Sequence, residues 1–193
     1  MAKRLVLGIT GGLGSGKTTV AMILAEKGAV HIDADKIGHE LLEKDMEVVR
    51  EIKEQFGEEV LIAGKIDRGK LAGKVFSDGG NMERLCEITH PRIARAIKEK
   101  VNAIDEGVIV VDAPLLIEAG LGAIVDRVIL VKASDEIKIA RAVGRGMSKE
   151  EALRRLALQM PDEEKERSAD IIIENSKDMV ELRKGVDEIW QRI

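Results

Sequence analysis

The stretch LVLGITGGLGSGKTTVAMILAEKG, residues 5–28, decides how the rest of the chain is read. A short apolar run leads into GGLGSGKT at 11–18, and a helical pattern follows at once. Gly11, Gly16, Lys17 and Thr18 match G-x-x-x-x-G-K-[ST], a loop that joins a strand to a helix and cradles phosphate. Each residue type has a physical reason. Glycines let the backbone turn with φ > 0 and bring N–H groups against phosphate oxygens. The helix N-terminus adds unpaired N–H groups and a partial positive charge. Lys17 suits the β- and γ-phosphates, and the Thr18 hydroxyl suits Mg²⁺. The motif predicts binding of a nucleoside triphosphate. Alone, it does not separate a kinase from a GTPase, motor or sensor.

The 193 residues suit one domain with room for an inserted subdomain. Hydrophobic residues at 45% and charged ones at 34% are those of a soluble globular protein. A net charge of −4 and 2% aromatic residues argue against a nucleic-acid binder, which needs a basic face and stacking rings. No apolar run approaches the ~18 residues of a membrane span, and none precedes Leu5 as a leader would. Cys86 is the single cysteine, which excludes an internal disulfide and disfavours a cysteine-ligated metal. The reducing cytoplasm is the expected compartment, without partners among membranes or nucleic acids.

Strands are expected at 5–9, 30–32, 108–111, 125–131 and 171–173, where β-branched residues cluster between turn signals. Helical patterns run over 16–27, 36–56, 81–104, 134–145, 149–158 and 177–193. Ser134 and Asp178 read as helix starts, and Gly57 and Gly146 as stops. Apolar strands alternating with helices predict a parallel sheet covered on both faces. Between the second and third strands lies a long, charged, mostly helical stretch. A simple crossover does not need that length, so 36–100 reads as a helical insertion. Within it His90 precedes Pro91, which predicts a break in the helix.

Three further groups carry chemistry. His31-Ile32-Asp33-Ala34-Asp35 ends the second strand. In open parallel sheets ligands lie outside the carboxyl ends of the strands, so Asp33 can face the phosphate loop and accept a proton from an attacking hydroxyl. Both aspartates could instead cap the helix that follows; the reading adopted gives Asp33 to the site and Asp35 to the cap. Val111-Asp112 resembles the strand end whose aspartate holds Mg²⁺, a pattern common by chance. Arg141 and Arg145 lie one helical turn apart, hence on one face, ahead of a charged helix with Arg154 and Arg155. Guanidinium groups there could close over a transferring phosphoryl. Without the phosphate loop all four would read as a solvated basic face.

The whole pattern resembles dephospho-coenzyme A kinase. TGGLGSGKT, HIDADKIGHELL, LCEITHPRI, VVDAPLLIEAGL, VILVKASDEIKIARAVGRGMSKEEALRRLALQM and ERSADIIIENSKDMVEL occur in the family's order. The resemblance implies ATP-dependent phosphorylation of the ribose 3′-hydroxyl of dephospho-CoA. It implies a P-loop α/β/α fold with a five-stranded parallel sheet in the order 2-3-1-4-5. Residues 1–35 and 101–193 would form the core, 36–100 the helical CoA-binding subdomain and 145–165 a lid. Carried onto matching positions, Asp33 would be the base, with Lys17, Arg141 and Arg145 acting on phosphate. Gly12, Leu13, Gly14, Ser15, Gly16, Lys17, Thr18 and Thr19 would hold ATP, and Thr18 and Asp112 the Mg²⁺. Thr10, His90, Pro91, Pro114, Leu115 and Glu118 would line the acceptor site beside Asp33.

Two rivals remain open. Another small-molecule kinase on this core would share the loop and lid and differ in its acceptor. A nucleotide-dependent switch would hydrolyse slowly under a partner's control. A guanine-reading N/T-K-x-D is absent after 127–131, where the chain reads Lys132-Ala133-Ser134-Asp135, and that argues against the GTP form only.

Overall fold

In the computed structural model, which describes residues 4–77 and 79–193, the quoted stretch forms β1 (Leu5–Thr10), a glycine loop and α1 (Lys17–Glu26). Then follow β2 (Val30–Asp33), α2 (Ala34–Lys44), α3 (Met46–Phe56), the hairpin of β3 (Leu61–Ile62) and β4 (Lys65–Ile66), α4 (Arg68–Val75) and α5 (Gly79–Asn102). The rest comprises β5 (Val108–Asp112), β6 (Arg127–Lys132), α6 (Asp135–Gly144), α7 (Lys149–Ala157), α8 (Asp162–Glu166), β7 (Ile171–Glu174) and α9 (Met179–Trp190). The chain divides into two compact units. Ala34–Glu99 is one, and the residues before it join Lys100–Ile193 in the other.

The discontinuous unit is built on a sheet ordered β2-β5-β1-β6-β7, all of its pairings parallel. Counting only the strands of this sheet, that is 2-3-1-4-5, the order the resemblance implied. The strands are short and apolar because both faces are covered, giving the three-layer α/β/α form. On one face Leu7, Ile9, Val110, Ile129 and Val131 meet Val20 and Leu24 of α1 and Leu182 and Val186 of α9, nearly all inaccessible to water. Burying each such side chain contributes about 1.5–3 kcal/mol before entropy is counted. Gly8 points to the other face, where a Cβ would stand 2.8 Å from a Leu116 methyl. The strand expected at 125–131 starts at Arg127, because the Asp126 carboxylate accepts the Val6 N–H at 2.8 Å first. Ser134 and Asp178 cap α6 and α9 as read, each side chain accepting a first-turn N–H.

The helical unit has its own core of Val48, Ile52, Phe56, Val60, Leu71 and Val75, all at 3% exposure or less. Four features there differ from the sequence reading. The single helix expected over 36–56 is two, because Asp45 adopts extended backbone and its carboxylate accepts from Glu47 N at 3.0 Å and Val48 N at 3.2 Å. A small hairpin interrupts the helical pattern, with Ala63 and Gly64 both at positive φ in the turn between β3 and β4. The break expected at His90-Pro91 does not occur; α5 continues through Pro91. A proline removes one N–H from the ladder, and here side-chain donors serve carbonyls nearby. Thr89 Oγ1 donates to Leu85 O and Arg92 to Ile88 O, both at 2.8 Å. Asp35 sits inside the first turn of α2 rather than at its cap, since the helix begins at Ala34.

Loss of the α3 cap is a direct test of that boundary. Asp45→Ala is expected to lower stability by about 1 kcal/mol in denaturant unfolding without changing the slope. An unchanged midpoint would show that Asp45 does not hold the start of α3.

Candidate active site

The glycine loop is wrapped from outside as closely as its backbone allows. Gly11, Gly14 and Gly16 have φ of 153°, 76° and 97°. A Cβ on them would lie 2.3 Å from Val131 O, 2.4 Å from Lys138 O and 2.2 Å from Asn175 Nδ2. No other residue type fits those conformations and clearances. Gly16 starts α1 with no side-chain cap, and no acidic residue sits in the first turn. The first N–H groups of the helix are therefore offered to whatever occupies the loop, with the helix dipole behind them. Lys17, Thr18 and Thr19 open α1; Gly12, Leu13, Gly14 and Ser15 lie in the loop before it.

Beside the loop stand the ends of β2 and β5, where Asp33 and Asp112 are register partners. Asp112 is 3% exposed. Burial pushes its carboxyl above the usual carboxylate range, and the neighbouring Asp33 charge adds to this. The Thr18 hydroxyl, which hydrogen-bonds to it, and the Lys17 and His31 charges work in the opposite direction. Its Oδ2 lies 3.7 Å from His31 Nε2, and its Oδ1 is buried without a hydrogen-bond partner. One hydroxyl and one carboxylate with an orphaned oxygen form a small, hard donor set. Mg²⁺ takes such ligands together with substrate phosphates, rather than a full protein cage. Among the described residues no group of three His, Cys, Asp or Glu stands together. The donors present fit.

Arg141 binds the loop itself. Its guanidinium donates to Gly14 O and Ser15 O at 3.3 Å and to Asn175 O at 3.0 Å. Asn175, 5% exposed, donates its side-chain N–H to Ser15 O at 2.7 Å. Arg145 reaches back to Arg141 O at 3.2 Å. The two arginines, the start of α1, Asn175 and the segment Lys177, Asp178 and Met179 surround a cavity of about 340 Å³.

On the other flank Thr10 Oγ1 donates to Pro114 O at 3.2 Å. Pro114, Leu115 and Glu118 lie just after β5, and Glu118 is engaged through one oxygen, its Oε2 being buried without a hydrogen-bond partner. Its Oε1 is 3.0 Å from Lys165 Nζ and accepts from Met160 N at 3.3 Å. His90 and Pro91 lie in the middle of α5, within the helical unit.

Comparison with known proteins now decides the family. A family model described as dephospho-CoA kinase matches residues 5–181. The dephospho-CoA kinase of Corynebacterium diphtheriae is 41% identical, covering 97% of this chain and 96% of that one. That of Aquifex aeolicus is 40% identical over the same shares. The chain belongs to the dephospho-CoA kinase family. The solved Campylobacter jejuni dephospho-CoA kinase superposes with a TM-score of 0.72 at 29% identity, covering 98% of this chain and 96% of that chain. A shikimate kinase from Acinetobacter baumannii, 16% identical and with a TM-score of 0.55 over 97% and 92%, shares the fold.

Sequence reasoning missed several residues that shape this kinase site. Gln159 Oε1 accepts the Leu13 N–H at 2.9 Å. Lys138, 5% exposed, pairs with Asp162 beside Gly12. Lys165 is fully buried, and Asn175 holds the loop. Their neighbourhoods, such as DEEKE, read as solvated charge, and only the fold turns them inward. Asn175, two residues beyond the strand expected at 171–173 and directly after β7, had a positional signal.

Asp112 offers a test through pH. Its folded pKa is raised, so ionised Asp112 costs stability at neutral pH, and that cost disappears as pH falls into the ordinary carboxylate range. Metal-free Asp112→Asn is expected to melt above wild type at pH 7–8, with the gain shrinking toward pH ~4. Phosphoryl transfer should fall about 100-fold or more. A variant melting below wild type at neutral pH would contradict the burial argument.

Proposed function

We propose that this chain transfers the γ-phosphoryl of ATP to the ribose 3′-hydroxyl of dephospho-CoA, the last step of coenzyme A synthesis, in the cytoplasm. The observation that carries it is the register pairing of Asp33 with Asp112 beside Thr18 and Lys17. It gives one carboxylate for a proton and another for a metal, at adjacent strand ends next to a phosphate loop.

In this reading Gly12 through Thr19 hold the triphosphate, through loop and first-turn amides other than those of Leu13 and Ser15 and through the Lys17 ammonium. Thr18 and Asp112 would hold Mg²⁺, which when bound supplies charge neutralisation on the phosphates. Asp33 takes the proton of the attacking hydroxyl. Arg141 steadies the loop carbonyls from behind and, with Arg145, borders the 340 Å³ cavity. That cavity adjoins the first turn of α1 and suits the donor's nucleoside. His90 and Pro91 of the helical unit are assigned to the acceptor, and so, in the other unit, are Thr10, Pro114 and Leu115. Residues 145–165 would act as a lid. Its moving part would be α7, because Gln159, Asp162 and Lys165 are bonded to the rest of their unit. Closure matters because water is a competing acceptor.

The test is incubation with Mg-ATP and dephospho-CoA, reading coenzyme A by mass. Formation of coenzyme A is expected; no product, with a nucleoside or nucleotide phosphorylated instead, would replace the acceptor. Asp33→Asn is expected to lower turnover about 100-fold or more while ATP binding survives. Near-normal turnover would remove Asp33 as the base.

A further inference from the structure

Lys165 is the largest side chain with no exposure to water, and nothing in its local sequence, Asp162-Glu163-Glu164-Lys165-Glu166, calls for that. An ammonium group is costly to bury unless it is paired and hydrogen-bonded. Its two partners are the Glu118 carboxylate at 3.0 Å and the Pro114 carbonyl at 3.2 Å. Pro114 O has a second donor, Thr10 Oγ1 at 3.2 Å. Thr10 is itself fully buried and directly precedes the glycine loop.

The position of that carbonyl gives the arrangement its meaning. Asp112 is the last residue of β5, and Ala113 N continues the strand pairing by donating to Ile9 O at 3.0 Å. Pro114 comes next, and its carbonyl is gripped by the residue entering the phosphate loop and by Lys165. Only Ala113 thus separates the clamp from the buried carboxylate that meets Thr18. A buried ion pair used only for stability could be replaced by neutral groups of similar volume with little loss. Here the pair ends on a backbone oxygen whose place fixes the exit of β5 relative to the loop.

We propose that Lys165, held by Glu118, is a positioning residue for phosphoryl transfer: it clamps the Pro114 carbonyl against Thr10 and so sets Asp112 opposite Thr18. Glu118 then serves the clamp rather than the acceptor. The inference rests on the phosphotransfer reading above but not on the identity of the acceptor.

The experiment uses K165M/E118Q, which removes both charges together and keeps a side-chain acceptor for Met160 N. Thermal melting, steady-state kinetics and calorimetric binding of ADP with Mg²⁺ or with EDTA are compared with wild type. The melting point is expected to stay within a few degrees. kcat should fall about 10- to 100-fold, as for partners that orient a metal ligand, with both KM values within about threefold. The gain in ADP affinity on adding Mg²⁺ should shrink by a similar factor. Unchanged kcat and an unchanged Mg²⁺ gain would overturn the proposal. A rise confined to the acceptor KM would overturn it too, assigning Glu118 to the acceptor. Should the double variant not fold, Thr10→Val removes the other donor on the same carbonyl and must reproduce the loss of Mg²⁺ gain; if it does not, the clamp fails. ADP binding is measured without acceptor, so failure of the clamp and failure of dephospho-CoA as substrate give different results.

Discussion

The rest of this site depends on one steric constraint, the close wrapping of the glycine loop. Three of its residues have backbone that side chains rarely adopt and neighbours where a Cβ would collide. Those neighbours come from β6, α6 and the segment after β7, so the loop is shaped by elements far apart in the chain. Its concave side keeps unpaired N–H groups because the convex side is satisfied elsewhere. Arg141 and Asn175 take the outward carbonyls, and Gln159 takes the Leu13 N–H. A phosphate cradle requires this asymmetry. Carbonyls turned toward the anion would repel it, and amides lost to the protein would weaken it.

A second constraint follows from burial of charge next to that loop. Asp112 pulls in two directions: desolvation favours its protonated form, while Thr18, Lys17 and His31 favour the carboxylate. Such a group is unfavourable in the empty site and becomes favourable when a cation joins it. The unfavourable state is tolerated because the sheet holds the residue in register with Asp33 on one side and Ile9 on the other. Stability given up at one residue is thereby available as binding energy for the metal in the proposed reading.

The fold was largely legible in the sequence because its signals are local. Apolar β-branched runs, a glycine loop with a lysine, and Ser134 and Asp178 at helix starts all act within a few residues. The failures share a different cause. Asp45 divides a continuous helical pattern by capping, a choice periodicity alone does not reveal. Pro91 reads as a break, yet the rest of α5 is long enough to absorb one missing bond. At the site, Lys17, Thr18, Asp33 and Asp112 were found because motif and strand end coincide. Gln159, Lys138 and Lys165 were not, because the placing of a polar or charged side chain against the loop is decided by tertiary partners.

In the proposed reading, those three missed residues bear on how a lid over 145–165 would move without loosening the site it covers. They lie before or after α7, and their bonds tie its flanks to different parts of the same unit: Gln159 to the loop at Leu13, Asp162 to Lys138 of α6, and Lys165 to the turn at Pro114 and Glu118. A helix tethered by exposed contacts at both ends would transmit its motion to the phosphate loop. The two charged pairs, Lys138 with Asp162 and Lys165 with Glu118, resist this, because breaking either strands an ion away from water. The cost of opening there is much higher than at the exposed glycines 144 and 146, where the chain leaves α6. Lid motion, in the proposed reading, would therefore be directed into α7 and its approach, while the return segment stays with the core. The buried lysines would then separate the part that closes from the part that must hold still.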